Sequence, residues 1–399
     1  MRSLLKWFSQ IASVTRFGLQ TLPERKGAST VAIVGIAGVV IVMVGVLSIA
    51  HGIVRMMARS ATPENAIVLR SGSSSEMMSG LGGDQAKIIA EAPGVIRDAD
   101  GPVASSELFV IINLPKRSTG TDANVPLRGV VPASLKIRDR FEIVEGRLFG
   151  RGLNELIVGV GALREFAGLA IGQSIEVGGE DWPIVGVFAA GGGISESEIW
   201  ADAPVIQGAY RRGNSYQSVY AKLESTSAFG EFKDALTADP RISVKVQPES
   251  EFHLSQSQVM VTMIQTLGVL ITVLMGLGAV FGAVNTMYNA VSSRTREIAT
   301  LRALGFKSSP VVISVLLESL LLAFVGGSIG GILAFLAFDG FRAATLNFQT
   351  FSQITFAFEV SPALMVQGVF FALVMGFVGG LFPAIRAARM PVATALREM

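Results

Sequence analysis

The sequence predicts an α-helical membrane protein with four transmembrane helices and a large α+β extracytoplasmic domain inserted between the first and the second. Three observations predict it. The chain of 399 residues is 50% hydrophobic and only 16% charged, against roughly 25% charged in soluble proteins, and its mean hydropathy is +0.52. The charge is unevenly placed: residues 52–256 hold 45 of the 64 charged side chains and the other 194 residues hold 19. Finally, four apolar runs reach the ~20 residues that a bilayer core requires.

The organisation follows in chain order. Residues 1–27 form an amphipathic N-terminal segment, and 28–51 the first span, whose 28–50 stretch carries no charge. A signal peptide would have a shorter apolar run, about 7–15 residues, and an A-x-A site after it; neither is seen. Residues 52–256 form the external domain. The second span is 257–292, inside a stretch of 40 residues (254–293) without a charge, so its helix is expected to extend beyond the lipid. Residues 293–309 form a short loop helix, 310–338 the third span, 339–361 an external loop, 362–385 the fourth span and 386–399 a tail. Pro310 and Pro362 suit a first helical turn.

Charge sets the orientation, because cytoplasmic flanks are rich in Lys and Arg. The N-terminal segment, the 294–310 loop and the tail together hold 12 basic and 3 acidic residues, a net +9, which leaves 21 basic and 28 acidic residues elsewhere, a net −7. Both termini and the loop are therefore expected in the cytoplasm and the large domain outside it.

Within the external domain, 66–70, 108–114, 155–159, 174–177 and 183–188 read as strands, and 85–92 as a short helix. Residues 218–246 read as strand, helix, strand. The stretches 71–83 and 116–123 read as surface loops, and Glu196 and Glu198 as a solvated face. Gly191, Gly192 and Gly193 stand outside any strand-to-helix phosphate motif.

No catalytic or metal-ligating residue is indicated. With no cysteine, disulfides, thiolate metal sites and cysteine nucleophiles are excluded. No lysine follows a glycine, so a G-x-x-x-x-G-K-[ST] phosphate loop cannot occur, and there is no H-E-x-x-H. His51 and His253 both sit beside apolar runs and read as membrane-interface residues. Nothing points to nucleic acid. If ATP drives this protein, another subunit hydrolyses it.

The loop between spans two and three reads RTREIATLRALGF over 294–306. Ile298, Leu301 and Leu304 recur at three-residue spacing, one face of a short helix, with Arg294, Arg296, Glu297 and Arg302 off that face. Gly305 suits the C′ position, where φ is positive. Such a helix either receives force from a partner or lies on anionic lipid.

This segment resembles the R-x-R-E-I-x-x-L-R-A-L-G stretch of MacB/FtsX/LolC-type ABC transporter permeases. ESLLLAFVGG at 318–327 and GGLFPAIRAARMPVATALR at 379–397 are similar to the same family. The resemblance implies one span, an external domain, then three spans, with 294–305 as the coupling helix on an ATPase subunit. It also implies a pair of permeases, either two copies or two related chains, with an ATPase dimer. ATP and Mg²⁺ belong to that partner, with no cofactor on this chain, and a periplasmic adaptor joins in MacB-type systems. An inner-membrane location follows. Two roles remain open under it: export or extraction of a lipophilic, peptide or lipoprotein cargo, and force transmission to an external cell-wall hydrolase. A membrane-anchored external enzyme has no motif in its favour.

Inside the spans, glycines recur at four-residue spacing: Gly278 and Gly282, Gly326 with Gly330, Gly327 with Gly331, and Gly376 with Gly380. This spacing lets helices approach closely. Intrachain packing is the expected use for spans three and four, with a dimer seam as the alternative. Asn285 and Glu318 lie at similar depth from the cytoplasmic side and are expected to hydrogen-bond, since a carboxyl group in lipid requires a partner or a proton.

Overall fold

The computed structural model describes residues 7, 10, 11, 13–16, 26–293, 295–347 and 352–389. Most of the N-terminal segment, Arg294 and the end of the tail lie outside the described residues. The chain divides into two compact units: a membrane unit (Met1–His51, Met263–Phe341, Phe358–Met399) and an external unit (Gly52–Thr262, Arg342–Ala357).

Among the described residues, four helices are long and apolar enough to span: α1 (Lys26–Arg59), α2 (Glu249–Ser293), α4 (Ser308–Phe338) and α5 (Pro362–Arg389). The short α3 (Thr295–Ala303) joins α2 to α4. Two of the spanning helices are longer than hydropathy alone indicates. α1 continues eight residues past 51, and α2 begins at Glu249, where the polar sequence ESEFHLSQSQ still has good helix formers.

In the membrane unit, Ile36, Val39, Val40 and Val44 of α1 share a core with Ala323 and Ala334 of α4 and Ala372 and Met375 of α5. α2 packs least: 22% of its apolar window is buried, against 39–50% for the others.

The external unit is built on a ten-stranded mixed sheet. Its strands are β1 (Asn65–Arg70), β2 (Ala104–Pro115), β3 (Asp122–Val130), β4 (Phe141–Gly146), β5 (Leu156–Gly159), β6 (Ser174–Val177), β7 (Glu180–Ala190), β8 (Ile199–Asp202), β9 (Ser218–Lys222) and β10 (Val244–Pro248). The order is β10-β1-β9-β2-β3-β8-β5-β7-β4, with β6 on β7. β1 is buried on both faces, as its unbroken apolar run requires. Ala66 and Val68 face a core under the helices Gly83–Ala90 and Phe229–Ala238, while Ile67 and Leu69 pack with Tyr220 and Phe252. The strand–helix–strand of 218–248 is present, and β1 lies between its two strands, antiparallel to both.

Residues 339–361 are not a plain loop. They contain a hairpin, β11 (Arg342–Asn347) and β12 (Ser352–Ala357), which belongs to the external unit. The Thr355 N–H donates to Ser197 Oγ at 2.9 Å, and Lys116 Nζ donates to Gln353 Oε1 at 3.4 Å. Gly52 is required beside the hairpin, because a Cβ there would strike the carbonyl oxygen of Ala357.

Candidate functional site

α3 is held from one side and free on the other. Ile298 and Ala299 are buried, and Ile298 shares a core with Met287 and Val291 of α2, Val311 and Val315 of α4, and Ala384 and Ala387 of α5. Leu301 is half-buried, while Arg296 and Glu297 are exposed and Arg302 is half-buried. The helix closes in a Schellman motif: the Gly305 N–H donates to the Arg302 carbonyl, and the Phe306 N–H to that of Leu301. Gly305 has φ +96, the left-handed conformation its position requires. Leu304 departs from the three-residue pattern. The helix has ended by then, the turn swings its side chain outward, and it is 74% exposed. Arg294 falls outside the described residues.

Asn285 and Glu318 do not pair. Glu318 is buried, bordering a small cavity with Met287, Ile298, Leu301 and Ser314. Asn285 lies on the exposed face of α2. Equal depth set the expectation, but the two side chains leave their helices in different directions. Asn289, one turn further along, is exposed too, and neither asparagine side chain hydrogen-bonds a described residue.

The glycines fall into two groups. Gly326 and Gly330 of α4 face α1, where an added Cβ would lie 2.9 Å from the Ile33 carbonyl oxygen and 2.6 Å from that of Ala37. Gly327, Gly376 and Gly380 sit where α4 meets α5, and Ser319 Oγ donates to the Gly376 carbonyl at 2.6 Å. At Gly331 a Cβ would make ordinary contact with Met365, at 3.9 Å. Gly278 and Gly282 of α2 have nothing within 4 Å.

The external unit contains a buried charge cluster that patterning did not anticipate. Arg128 bonds Glu76 and Glu198 and reaches Glu107 at 3.0 Å; Arg138 grips Glu107 at 2.7 and 2.8 Å. Ser218 Oγ and Trp200 Nε1 donate to Glu76 and Glu198. Burial opposes the ionisation of Glu107, but Arg138 and Arg128 outweigh it and hold the carboxyl at about 2. Glu76 is lowered in the same way, its burial offset by Arg128. Glu198 is therefore not part of a solvated face, and the 71–83 stretch is not a plain surface loop, since it delivers Glu76 to the cluster. Glu196 turns back to accept the Ala190 and Gly192 N–H groups. His253 is buried 3.6 Å from Glu249, inside the external unit. One signal was available: Glu107 and Arg128 each interrupt an apolar strand, where a charge must be paired. Asn347, Ser352 and Ile354 of the hairpin border the same small cavity as Arg128 and Glu198.

Comparison with known proteins places this architecture. Residues 29–239 match the family described as MacB-like periplasmic core domain, and residues 269–392 the one described as FtsX-like permease C-terminal. The chain belongs to the MacB/FtsX-type ABC transporter permeases. Among its relatives, the macrolide export ATP-binding/permease protein MacB of Bdellovibrio bacteriovorus is 25% identical over 95% of this chain and 61% of its own length. The MacB of Chlorobium phaeobacteroides is 25% identical over 77% of this chain and 47% of its own. This permease thus spans about half to three-fifths of the length of these relatives. Among solved structures, the periplasmic region of MacB from Actinobacillus actinomycetemcomitans covers 48% of this chain and 92% of its own, at 10% identity and a TM-score of 0.37. The FtsX-like match contains α3, α4, the hairpin and all of α5.

Proposed function

We propose that this permease converts ATP hydrolysis by a separate ABC ATPase into movement of its external unit, serving export or extraction of a lipophilic, peptide or lipoprotein cargo. One observation carries the reading: the units are joined at four points of the chain, and two of these lie inside unbroken helices. α1 runs through 51–52 and α2 through 262–263. The other two are the ends of the hairpin that continues α4 and leads into α5. A helix resists stretching, so a push on α3 passes through Ile298 into α2, α4 and α5 and reaches the external unit by its own backbone. α3 and the termini face the cytoplasm, where the +9 charge favours them. ATP and Mg²⁺ are held by the ATPase, which rests on Leu304, Arg296 and Glu297. A second permease, identical or related, completes the assembly in the inner membrane; an adaptor outside completes an export path. A role in driving an external hydrolase uses the same coupling and differs in what docks outside.

The chain has no cysteine, which allows a clean test. A spin label on Thr119→Cys, at an exposed turn, reports the separation of two external units in the complex with its ATPase. Trapping the nucleotide state with vanadate is expected to shift that distance; an unchanged distribution rejects the mechanism. Leu304→Asp is expected to abolish ATPase association while leaving the melting temperature unchanged, because the side chain contributes little to the fold.

A further inference from the structure

The turn between α3 and α4 is the place where a push on α3 can be lost. It runs from Leu304 to Lys307, and α4 begins without a side-chain cap. Leu304, Gly305 and Lys307 are exposed, and Gly305 takes φ +96. A segment with so few buried contacts opens at low free energy. Ile298 and Ala299 are buried near the middle of α3 and anchor it. Leu304 lies beyond the end of the helix, so a load there acts away from that anchor and tends to bend the turn.

The N-terminal segment bridges this turn. Its described residues, 7, 10, 11 and 13–16, are helical. Trp7, Gln10, Ile11, Val14 and Thr15 recur at the i, i+3, i+4, i+7, i+8 spacing of one helix face. All of these are buried or half-buried, while Ser13 and Arg16 are exposed. The two ends of the face reach the two sides of the turn. Trp7 Nε1 donates to Ser309 Oγ at 3.1 Å, in the first turn of α4. Val14, 8% exposed, borders a cavity of about 30 Å³ with Ile298 and Leu301 of α3, Val311 and Val315 of α4 and Met287 of α2. An amphipathic helix lying on a membrane turns its apolar face to acyl chains; at Val14 this face is turned to protein.

We infer that the N-terminal segment is a strap over the α3–α4 turn, with Trp7 and Val14 as positioning residues that make the two helices move as one lever. The inference rests on the coupling role proposed above. Bending the turn parts Trp7 from Ser309 or draws Val14 out of its buried place, so it costs a hydrogen bond and apolar burial. A load at Leu304 is then carried into α4 instead of being absorbed in the turn. Without the strap, an ATPase still docks on α3 but no longer moves the external unit.

The test compares the full chain in nanodiscs with the double variant Trp7→Ala, Val14→Ser. Hydrogen exchange reads the turn directly. The amides of Leu304, Gly305 and Phe306 all bond back to carbonyls of α3, and they are expected to exchange about tenfold faster in the double variant, with the external core unchanged. Val14→Ile alone keeps the apolar contact and should exchange as the parent does. In the complex, the double variant should bind the ATPase as before and lose most of the vanadate-dependent shift read at Thr119→Cys. Unchanged exchange at the turn overturns the strap. Faster exchange with the full shift retained overturns the lever, and loss of ATPase association overturns it too, by making Trp7 and Val14 docking residues. A parent chain that shows no shift rejects the coupling role itself, and the exchange result alone then decides the strap.

Discussion

The external unit and the membrane unit handle polar groups in opposite ways. In the external unit, three carboxylates and two guanidiniums are withdrawn from water at the centre of the sheet and bonded to one another, with serine and indole donors on the remaining oxygens. Among its described residues the membrane unit buries one carboxylate, Glu318, bordered by Met287, Ile298, Leu301 and Ser314, and leaves Asn285 and Asn289 on an outer face. Buried charge costs several kcal/mol per ion and is retained only where partners are in place. A sheet can gather such partners from strands far apart in sequence. Four apolar helices have few polar side chains to gather, and their cohesion comes from glycine-mediated close approach. The two units should therefore fail differently when perturbed.

The largest effect is expected at Arg128. Replacing it with methionine keeps the volume but leaves Glu76, Glu107 and Glu198 facing one another. Removing one partner of a buried pair costs about 3–5 kcal/mol. Denaturation of the full chain, followed by the fluorescence of Trp182 and Trp200 in the external core, should show that loss; a change below about 1 kcal/mol would deny the cluster a structural role. Acid reads the same network. The Glu107 pKa is depressed from the ordinary 4.5 to about 2, so its contribution is complete above about 4.5 and is lost as the pH falls towards about 2. Stability of the external unit should decline across that window. A loss complete above pH 5 would assign the transition to other groups.

In the membrane unit the comparable lesion adds volume instead of removing charge. A Cβ at Gly376 would collide with Ala323 and approach the Ser319 carbonyl oxygen at 3.0 Å. Gly376→Leu is expected to destabilise α4 against α5 by about 1–3 kcal/mol, read as a lower melting temperature in detergent. Gly278→Leu, on an open face of α2, should leave that temperature unchanged. If both variants melt alike, close packing is not what holds the spans.

The four spans and most strands were legible because hydropathy and charge report burial directly. The short helix between the second and third spans was legible down to Gly305, whose φ follows from its place after the last turn. The hairpin is not legible although Ser352, Ile354 and Phe356 alternate with more accessible neighbours, because the 23 residues of 339–361 between two long apolar helices look like a connection. The charge cluster was not legible as a cluster. Glu76, Glu107, Arg128 and Glu198 are separated by 21 to 122 positions, and only the fold of the external unit brings them together. The Asn285–Glu318 pair failed for a related reason: hydropathy gives depth along a helix, and azimuth comes from packing.

That azimuth supplies the smallest expected effect. Gly278, Gly282, Asn285 and Asn289 follow one another at helical spacing on the least buried span, and amides facing lipid gain by finding amides across an interface. If a second permease covers this face, replacing both asparagines with leucine should weaken permease–permease association by about 1 kcal/mol, since hydrogen bonds between membrane helices contribute roughly 0.6–2 kcal/mol. The monomer should melt as before, because neither side chain hydrogen-bonds a described residue. Förster transfer between labelled copies in nanodiscs of varied protein density measures the association. Unchanged transfer would place the partner on another face, and a lowered monomer melting temperature would show that the asparagines act within the chain after all.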